Sequence, residues 1–136
     1  MSAGDRLAQQ VRHFGAALAR LDEVLAMPES GVVRDALIKR FEFSFEMAWK
    51  CMYRWLRSHE VDVPEEAFQV IPRAFRAGLI DDDAAWTRIR RARNLTSHTY
   101  HEKTAIEVAA AVRAEAAPRF RELLDRLRRE IGTPEA

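Results

Sequence analysis

Three observations predict an all-α chain, folded as an antiparallel up-and-down bundle of four long helices and one short one. No stretch alternates apolar and polar residues with the period of two that a half-buried strand needs. Apolar residues recur instead at steps of three and four over long segments, the spacing of one helix face. The breaks between these segments are short and marked by proline and glycine, and short connectors set consecutive helices antiparallel.

The first helix is expected from about Asp5 to Ala26, where Leu7, Val11, Phe14, Leu18, Leu21 and Leu25 step by four and three. Met27 to Gly31, with Pro28 and Gly31, breaks it, and His13 reads as a surface or boundary residue. From Val32 to about His59 comes the most hydrophobic stretch. Phe41, Phe45, Ala48, Met52 and Trp55 form one stripe, and Phe43, Met47, Trp49, Cys51, Tyr53 and Leu56 occupy other faces. A helix apolar on several sides is buried on several sides, so this is the central helix or one that shows a face to a second subunit. Its aromatics read as core before they read as a base-stacking platform, and Glu46 and Lys50 form an i,i+4 pair marking a solvated edge.

Pro64, Glu65 and Glu66 suit the start of a short helix to about Ala77, with Pro72 kinking it or ending its first turns and Gly78 as a left-handed stop. Asp81, Asp82 and Asp83 read as the N-cap region of the next helix, not as a metal site. A nucleotidyltransferase would also need strands and a glycine-serine phosphate turn, which this chain lacks, so it does not transfer nucleotides by itself. Thr104 and Glu107 have the spacing of a capping box for a last helix to Ile131, bent at Pro118 and stopped by Gly132. Arg119, Arg121, Arg126, Arg128 and Arg129 among Glu122, Asp125 and Glu130 read as a solvated face of that helix.

A length of 136 residues fits one domain, expected over residues 1–131 with a flexible tail at 132–136. Lys and Arg number 22 against 21 Asp and Glu, a net charge of +1, so any affinity for nucleic acid must come from local patches. A single cysteine, Cys51, excludes an internal disulfide and a cysteine-based zinc site. With no hydrophobic leader and no apolar run of membrane-spanning length, the expected setting is the cytoplasm, with no membrane association.

Most of the unusual chemistry lies in Arg93-Asn94-Leu95-Thr96-Ser97-His98-Thr99-Tyr100. Ala85, Trp86, Ile89, Ala92, Arg93 and Thr96 fall within an arc of about 120° at 100° per residue, which puts Arg93 on the buried edge of a helix that is about to end. A desolvated guanidinium must find a partner or face a cleft. From Ala84 to His101 there is no carboxylate, while Arg88, Arg90, Arg91 and Arg93 crowd the same turns, a local positive field suited to a phosphate ester. His98 lies roughly 140° around an unbroken helix from Arg93. The two meet only if the helix frays, a second chain contributes, or the arginine reaches across.

Arg93, Asn94, three further residues and then His98-Thr99-Tyr100 resemble the R-x4-6-H motif of HEPN domains, extended by the H-x-Y of HEPN proteins paired with minimal nucleotidyltransferases. With Phe41-Glu42, Ala48-Trp49-Lys50 and Ala77-Gly78-Leu79-Ile80, the chain from about residue 5 to 131 resembles the nucleotidyltransferase substrate-binding family of small helical HEPN proteins. The resemblance implies the same bundle, commonly dimeric, and two functions. In one, the chain is a toxin, a ribonuclease needing neither metal nor cofactor. His98 moves protons, Arg93 stabilises charge on the phosphorus oxygens, Asn94 orients the phosphate or the imidazole, and Arg88, Arg90 and Arg91 attract the RNA. A separately encoded minimal nucleotidyltransferase then silences it by adding AMP to Tyr100. In the other, the same residues form a noncatalytic pocket presenting a substrate to that nucleotidyltransferase. From spacing alone a third reading stays open, with His98 capping a helix and Arg93 in a structural ion pair.

Overall fold

The computed structural model describes residues 1–132. The expected tail falls largely on residues 133–136, outside the described ones. Within the described residues the chain is an all-α bundle: α1 (Ala3–Leu25), α2 (Gly31–Ser58), short α3 (Ala67–Arg76), α4 (Asp83–Leu95), α5 (Glu102–Ala111) and α6 (Ala117–Glu130). A π-helical turn, Val112–Ala116, joins α5 and α6 into one rod, giving the four long helical rods and one short helix anticipated. None of these helices is long and apolar enough to cross a membrane.

Side-chain pairings show the up-and-down arrangement. Arg40 reaches the Arg20 carbonyl at 2.6 Å while Met47 meets Gln10 at 3.3 Å, so α2 descends as α1 rises. In the same way Arg88 pairs with Glu115 and Asp82 with Arg119, which sets α4 antiparallel to the last rod. The central element is α2, in contact with every other helix. That position explains its all-round hydrophobicity: Phe41, Phe45, Ala48, Trp49, Cys51, Met52, Trp55 and Leu56 are all buried within the chain's own core. Met47 and Tyr53 are half-buried, and Phe43 and Val32 are exposed, at 55% and 81%. Phe120 of α6 joins the helices at one point, its ring 6.0 Å from Phe14, 6.1 Å from Phe41 and 5.8 Å from Trp86.

Local stops follow the sequence signals in two places. Gly78 takes φ +84 and the Leu79 amide donates to the Ala74 carbonyl at 2.9 Å, the six-to-one closure that ends α3. Asp82 caps α4 by accepting from the Ala85 amide at 2.9 Å.

Other boundaries differ from expectation. Short α3 begins at Ala67, not Pro64, because Glu66 is extended and the Pro64 carbonyl closes a turn with the Glu66 amide. The helix then runs through Pro72 to Arg76. Thr104 and Glu107 form no capping box. The chain leaves the preceding turn with His101 already accepting from Ala105, so α5 starts at Glu102 and Thr104 lies inside its first turn, with no side-chain cap at all. Pro118 does not simply bend a helix. It lacks the N–H that would reach Ala114, and just before it the helix widens into the π turn, where the Ala117 amide donates to the Val112 carbonyl, leaving the proline in the first turn of α6. Glu46 does not pair with Lys50 but accepts from the Trp49 indole at 3.2 Å.

The arginine-rich face of α6 is solvated but stapled to its neighbours. Arg119 meets Asp82 at 2.9 Å, Arg121 meets Asp22 at 2.7 Å, and Arg126 donates to the Gly78 carbonyl at 2.7 Å.

Candidate active site at the end of the fourth helix

The stripe that leads into the octet is buried as its spacing requires: Ala85, Trp86, Ile89, Ala92 and Thr96 are core residues. Arg93 sits on the edge of that stripe with its side chain 33% exposed. After Leu95 the α-helix tightens into a 3-10 turn, Thr96–His98. Hydroxyls hold the turn: Ser97 donates to the Asn94 carbonyl at 3.3 Å and Thr99 to the Thr96 carbonyl at 3.1 Å. Such bonds satisfy carbonyls that a helix end leaves orphaned.

The partner that Arg93 requires comes from α2. Its Nη1 lies 3.5 Å from the Glu42 carboxylate and donates to Thr96 Oγ1 at 2.9 Å, and that hydroxyl stands 2.7 Å from Glu42. Glu42, Thr96 and Arg93 thus form a closed triangle of charge-assisted bonds, while the Arg93 Nε–H is buried with no protein partner among the described residues. Spacing along the chain assigned Glu42 no role of its own. The available signal was a carboxylate set between Phe41 and Phe43 on the chain's most apolar helix.

His98 lies just past the helix end, exposed. No hydrogen bond joins it to Arg93 or to any other side chain among the described residues, although the helix has frayed into a tighter turn. Its ring stands edge-on to Tyr100, centroids 6.2 Å apart, and Tyr100 in turn lies 4.4 Å from the His101 ring. Tyr100 is 75% exposed, and its hydroxyl makes no hydrogen bond among the described residues. Asn94 is exposed on the last turn of α4.

The basic neighbours separate into two kinds. Arg88 is engaged by Glu115 of the π turn, Nη2 to Oε2 at 3.3 Å beside a shorter Nε contact. Hydrogen bonding to Arg88 holds the Glu115 carboxyl below its ordinary range, although burial opposes it. Arg90 and Arg91 form no ion pair among the described residues. The gap in carboxylates along the sequence is therefore filled in space at Arg88 and Arg93, and Arg90 and Arg91 keep the free charge.

The aspartates before α4 have structural work. Asp82 caps the helix and both Asp81 and Asp82 face Arg119, at 3.9 and 2.9 Å.

Fold and site together define a small helical bundle that presents an arginine, an unpaired imidazole and an exposed phenol at one helix end. A family model described as nucleotidyltransferase substrate binding protein like matches residues 9–129, and the chain belongs to that family. Over 92 residues it is 37% identical to a Haemophilus influenzae protein described as probable ribonuclease HepT, a match taking in 62% of this chain and 63% of that protein. The chain thus spans just under two thirds of the length of that curated relative.

Two solved structures share the fold. One, from Haemophilus influenzae, is described as revealing the fold of a substrate-binding domain of a nucleotidyltransferase. It superposes with a TM-score of 0.73 at 28% identity, covering 87% of this chain and 98% of that one. The other, a Thermus thermophilus protein, gives a TM-score of 0.68 at 31% identity over the same shares of the two chains.

Proposed function

We propose that the chain is a HEPN-type toxin, a metal-independent endoribonuclease that works in the cytoplasm as a homodimer and is silenced by AMP from a separately encoded minimal nucleotidyltransferase. The observation that carries this reading is an exposed imidazole, His98, set on a hydrogen-bonded turn five residues after a braced guanidinium and without a side-chain partner among the described residues. A histidine that served as a helix cap would be spent on the last carbonyls of α4, and those of Arg93 and Asn94 are met by the Thr96 amide and the Ser97 hydroxyl.

In this reading the ribose 2′-hydroxyl attacks the adjacent phosphorus and the 5′-oxygen leaves. His98 takes the proton from the first oxygen or gives one to the second, a role imidazole fills near neutral pH. Two copies of the site facing one another supply one imidazole to each transfer. Arg93 offers its guanidinium to the phosphorus oxygens as charge builds there, Asn94 orients the phosphate, and Arg90 and Arg91, with Arg88 in a lesser part, draw the RNA in. Leu95 within the octet and Ile106 in α5 just beyond it are both large and exposed, and are surfaces that a second copy would cover.

AMP on the exposed Tyr100 hydroxyl would put a phosphate into the same basic surroundings and occupy the place of the RNA phosphate. One observation favours the noncatalytic alternative, a subunit that binds the substrate of its nucleotidyltransferase: Arg93 is already held by Glu42 and Thr96.

The test uses purified chain and RNA. Cleavage that survives a chelator and falls at least about 100-fold in His98→Ala supports the ribonuclease. A protein that binds its nucleotidyltransferase yet cuts no RNA is the substrate-binding subunit instead. Intact mass after incubation with that nucleotidyltransferase and ATP is expected to rise by an adenylyl group in wild type and not in Tyr100→Phe. An equal gain in both removes Tyr100 from the scheme.

A further inference from the structure

Far from the octet, three guanidiniums converge where the start of α1 crosses the end of α2. Arg6, Arg54 and Arg57 line a cavity of about 220 Å³ together with Met1 and Ala3, and no carboxylate is among the lining residues. The cations come from two different helices, so folding has brought like charges together, and among the described residues neither Arg6 nor Arg54 forms an ion pair. Arg57 has a partner, Asp62 at 3.1 Å, but that carboxylate is 96% exposed and such a pair is worth little. Arg88, Arg113 and Arg121, by contrast, each meet a carboxylate brought from another part of the chain.

The cavity is one end of a longer feature. Phe43, Met47, Lys50, Arg54 and Arg57 step by four and three along α2 and lie within about 80° of one another at 100° per residue. Phe43, exposed, follows Glu42, the residue that braces Arg93, and points about 100° around α2 from it, so the stripe starts at the level of the octet on an adjoining face of α2. Gln10 of α1 borders it at Met47, donating to the sulfur at 3.3 Å, and Arg6 borders it at the far end. From Phe43 to Arg57 the rise is about 21 Å, roughly six nucleotides at the 3.4 Å spacing of a stacked strand. The nearby acid Glu46 is turned to the Trp49 indole, and Lys50 rests 5.9 Å from the Trp49 ring without an ion pair.

We infer that this stripe is a binding track for single-stranded RNA, with the Arg6, Arg54 and Arg57 cavity seating a backbone phosphate and Phe43 offering a base a stacking surface next to the octet. The choice of occupant rests on charge and shape: Lys50, Arg54 and Arg57 at one cation per turn along a straight line, an aromatic at the other end, and a chain whose net charge of only +1 makes such a concentration local. The inference rests on the ribonuclease reading for its purpose but not for its test. The track marks where the strand runs outward from the cut.

The experiment measures binding of a labelled single-stranded RNA carrying 2′-O-methyl groups, which cannot be cut, alongside cleavage of an unmodified RNA and sedimentation of the free protein. Arg54→Glu and the double variant Arg6→Glu/Arg57→Glu are expected to weaken binding about tenfold or more at about 50 mM salt and to lower the slope of log affinity against log salt by about one per lost contact. Phe43→Ala is expected to weaken binding about fivefold with the slope kept. Arg76→Glu, the same change of charge at an exposed site on α3, is expected to stay within about twofold of wild type.

Stripe variants that bind RNA as wild type does, or a wild type that binds none, overturn the track. Variants that alter sedimentation while RNA binding holds assign the face to a protein contact and overturn it too. Stripe-dependent binding without cleavage sinks the ribonuclease and leaves the track standing, whereas cleavage indifferent to the stripe does the reverse.

Discussion

The two ends of α4 are built on opposite plans. At its start Asp82 accepts the Ala85 amide at 2.9 Å and Arg119 at 2.9 Å, so both oxygens of the carboxylate are given over to holding the bundle. At its end there is no glycine stop and no charged cap. A 3-10 turn held by local hydroxyl bonds leaves His98 and Tyr100 in solvent and Leu95 half uncovered. The difference teaches where to look for function in a small bundle: a polar residue whose bonds are all made inside the fold is structural, and one left rigid but unspent is available for chemistry.

The largest effect expected separates two residues five apart. His98→Ala and Arg93→Ala should each reduce RNA cleavage by at least about 100-fold. In thermal unfolding only Arg93→Ala should register, by about 1–2 kcal/mol, since it strands the partly buried Glu42 carboxylate. His98→Ala should stay within about 0.5 kcal/mol of wild type. An equal loss of stability in both would mean that the two ends of α4 are alike after all.

Next in size is Glu42→Gln, which keeps the shape of the brace but removes its charge. Cleavage should fall about tenfold, carried by kcat and not by KM, because a loosened guanidinium no longer waits at the phosphorus oxygens. A change in KM alone would make Glu42 a surface residue of the binding face.

At the other end, Asp82→Ala should cost about 1–2 kcal/mol of stability, a fall in Tm of about 3–6 °C, and leave cleavage within about twofold. Lost activity at unchanged Tm would break the contrast. The smallest effect concerns acid. Arg88 holds the Glu115 carboxyl below its ordinary value of 4.5, so this pair stabilises the fold above that pH and the contribution is lost as pH falls through the lowered value. The Tm gap between wild type and Glu115→Gln should therefore be widest near neutral pH and should close as the solution becomes strongly acidic. A constant gap would show that the carboxylate's charge is not what stabilises.

Much of this architecture is legible in the order of residues along the chain. The inward stripe from Ala85 to Thr96, the aspartate cap, the left-handed Gly78 and the burial of Phe41, Phe45 and Trp55 all follow from spacing within one or two turns. What misled was local as well. Thr104 and Glu107 have the right separation for a capping box, yet the helix had already begun at Glu102 because the preceding turn delivered His101 as its first acceptor. The lack of carboxylates from Ala84 to His101 suggested a positive field from four arginines, and packing supplied acids to two of them.

By itself the sequence determined what depends on neighbours along the chain: which faces are apolar, where helices stop, and that an arginine and an imidazole share a helix end. Those outcomes are set by bonds from one residue to the third or fourth beyond it, which any reader of spacing can follow. Only the tertiary structure decided which charges remain free, because Glu42 reaches Thr96 across 54 positions and Glu115 reaches Arg88 across 27. A buried guanidinium demands a partner by electrostatics, but which carboxylate answers is fixed by how the helices pack, and no local pattern records that.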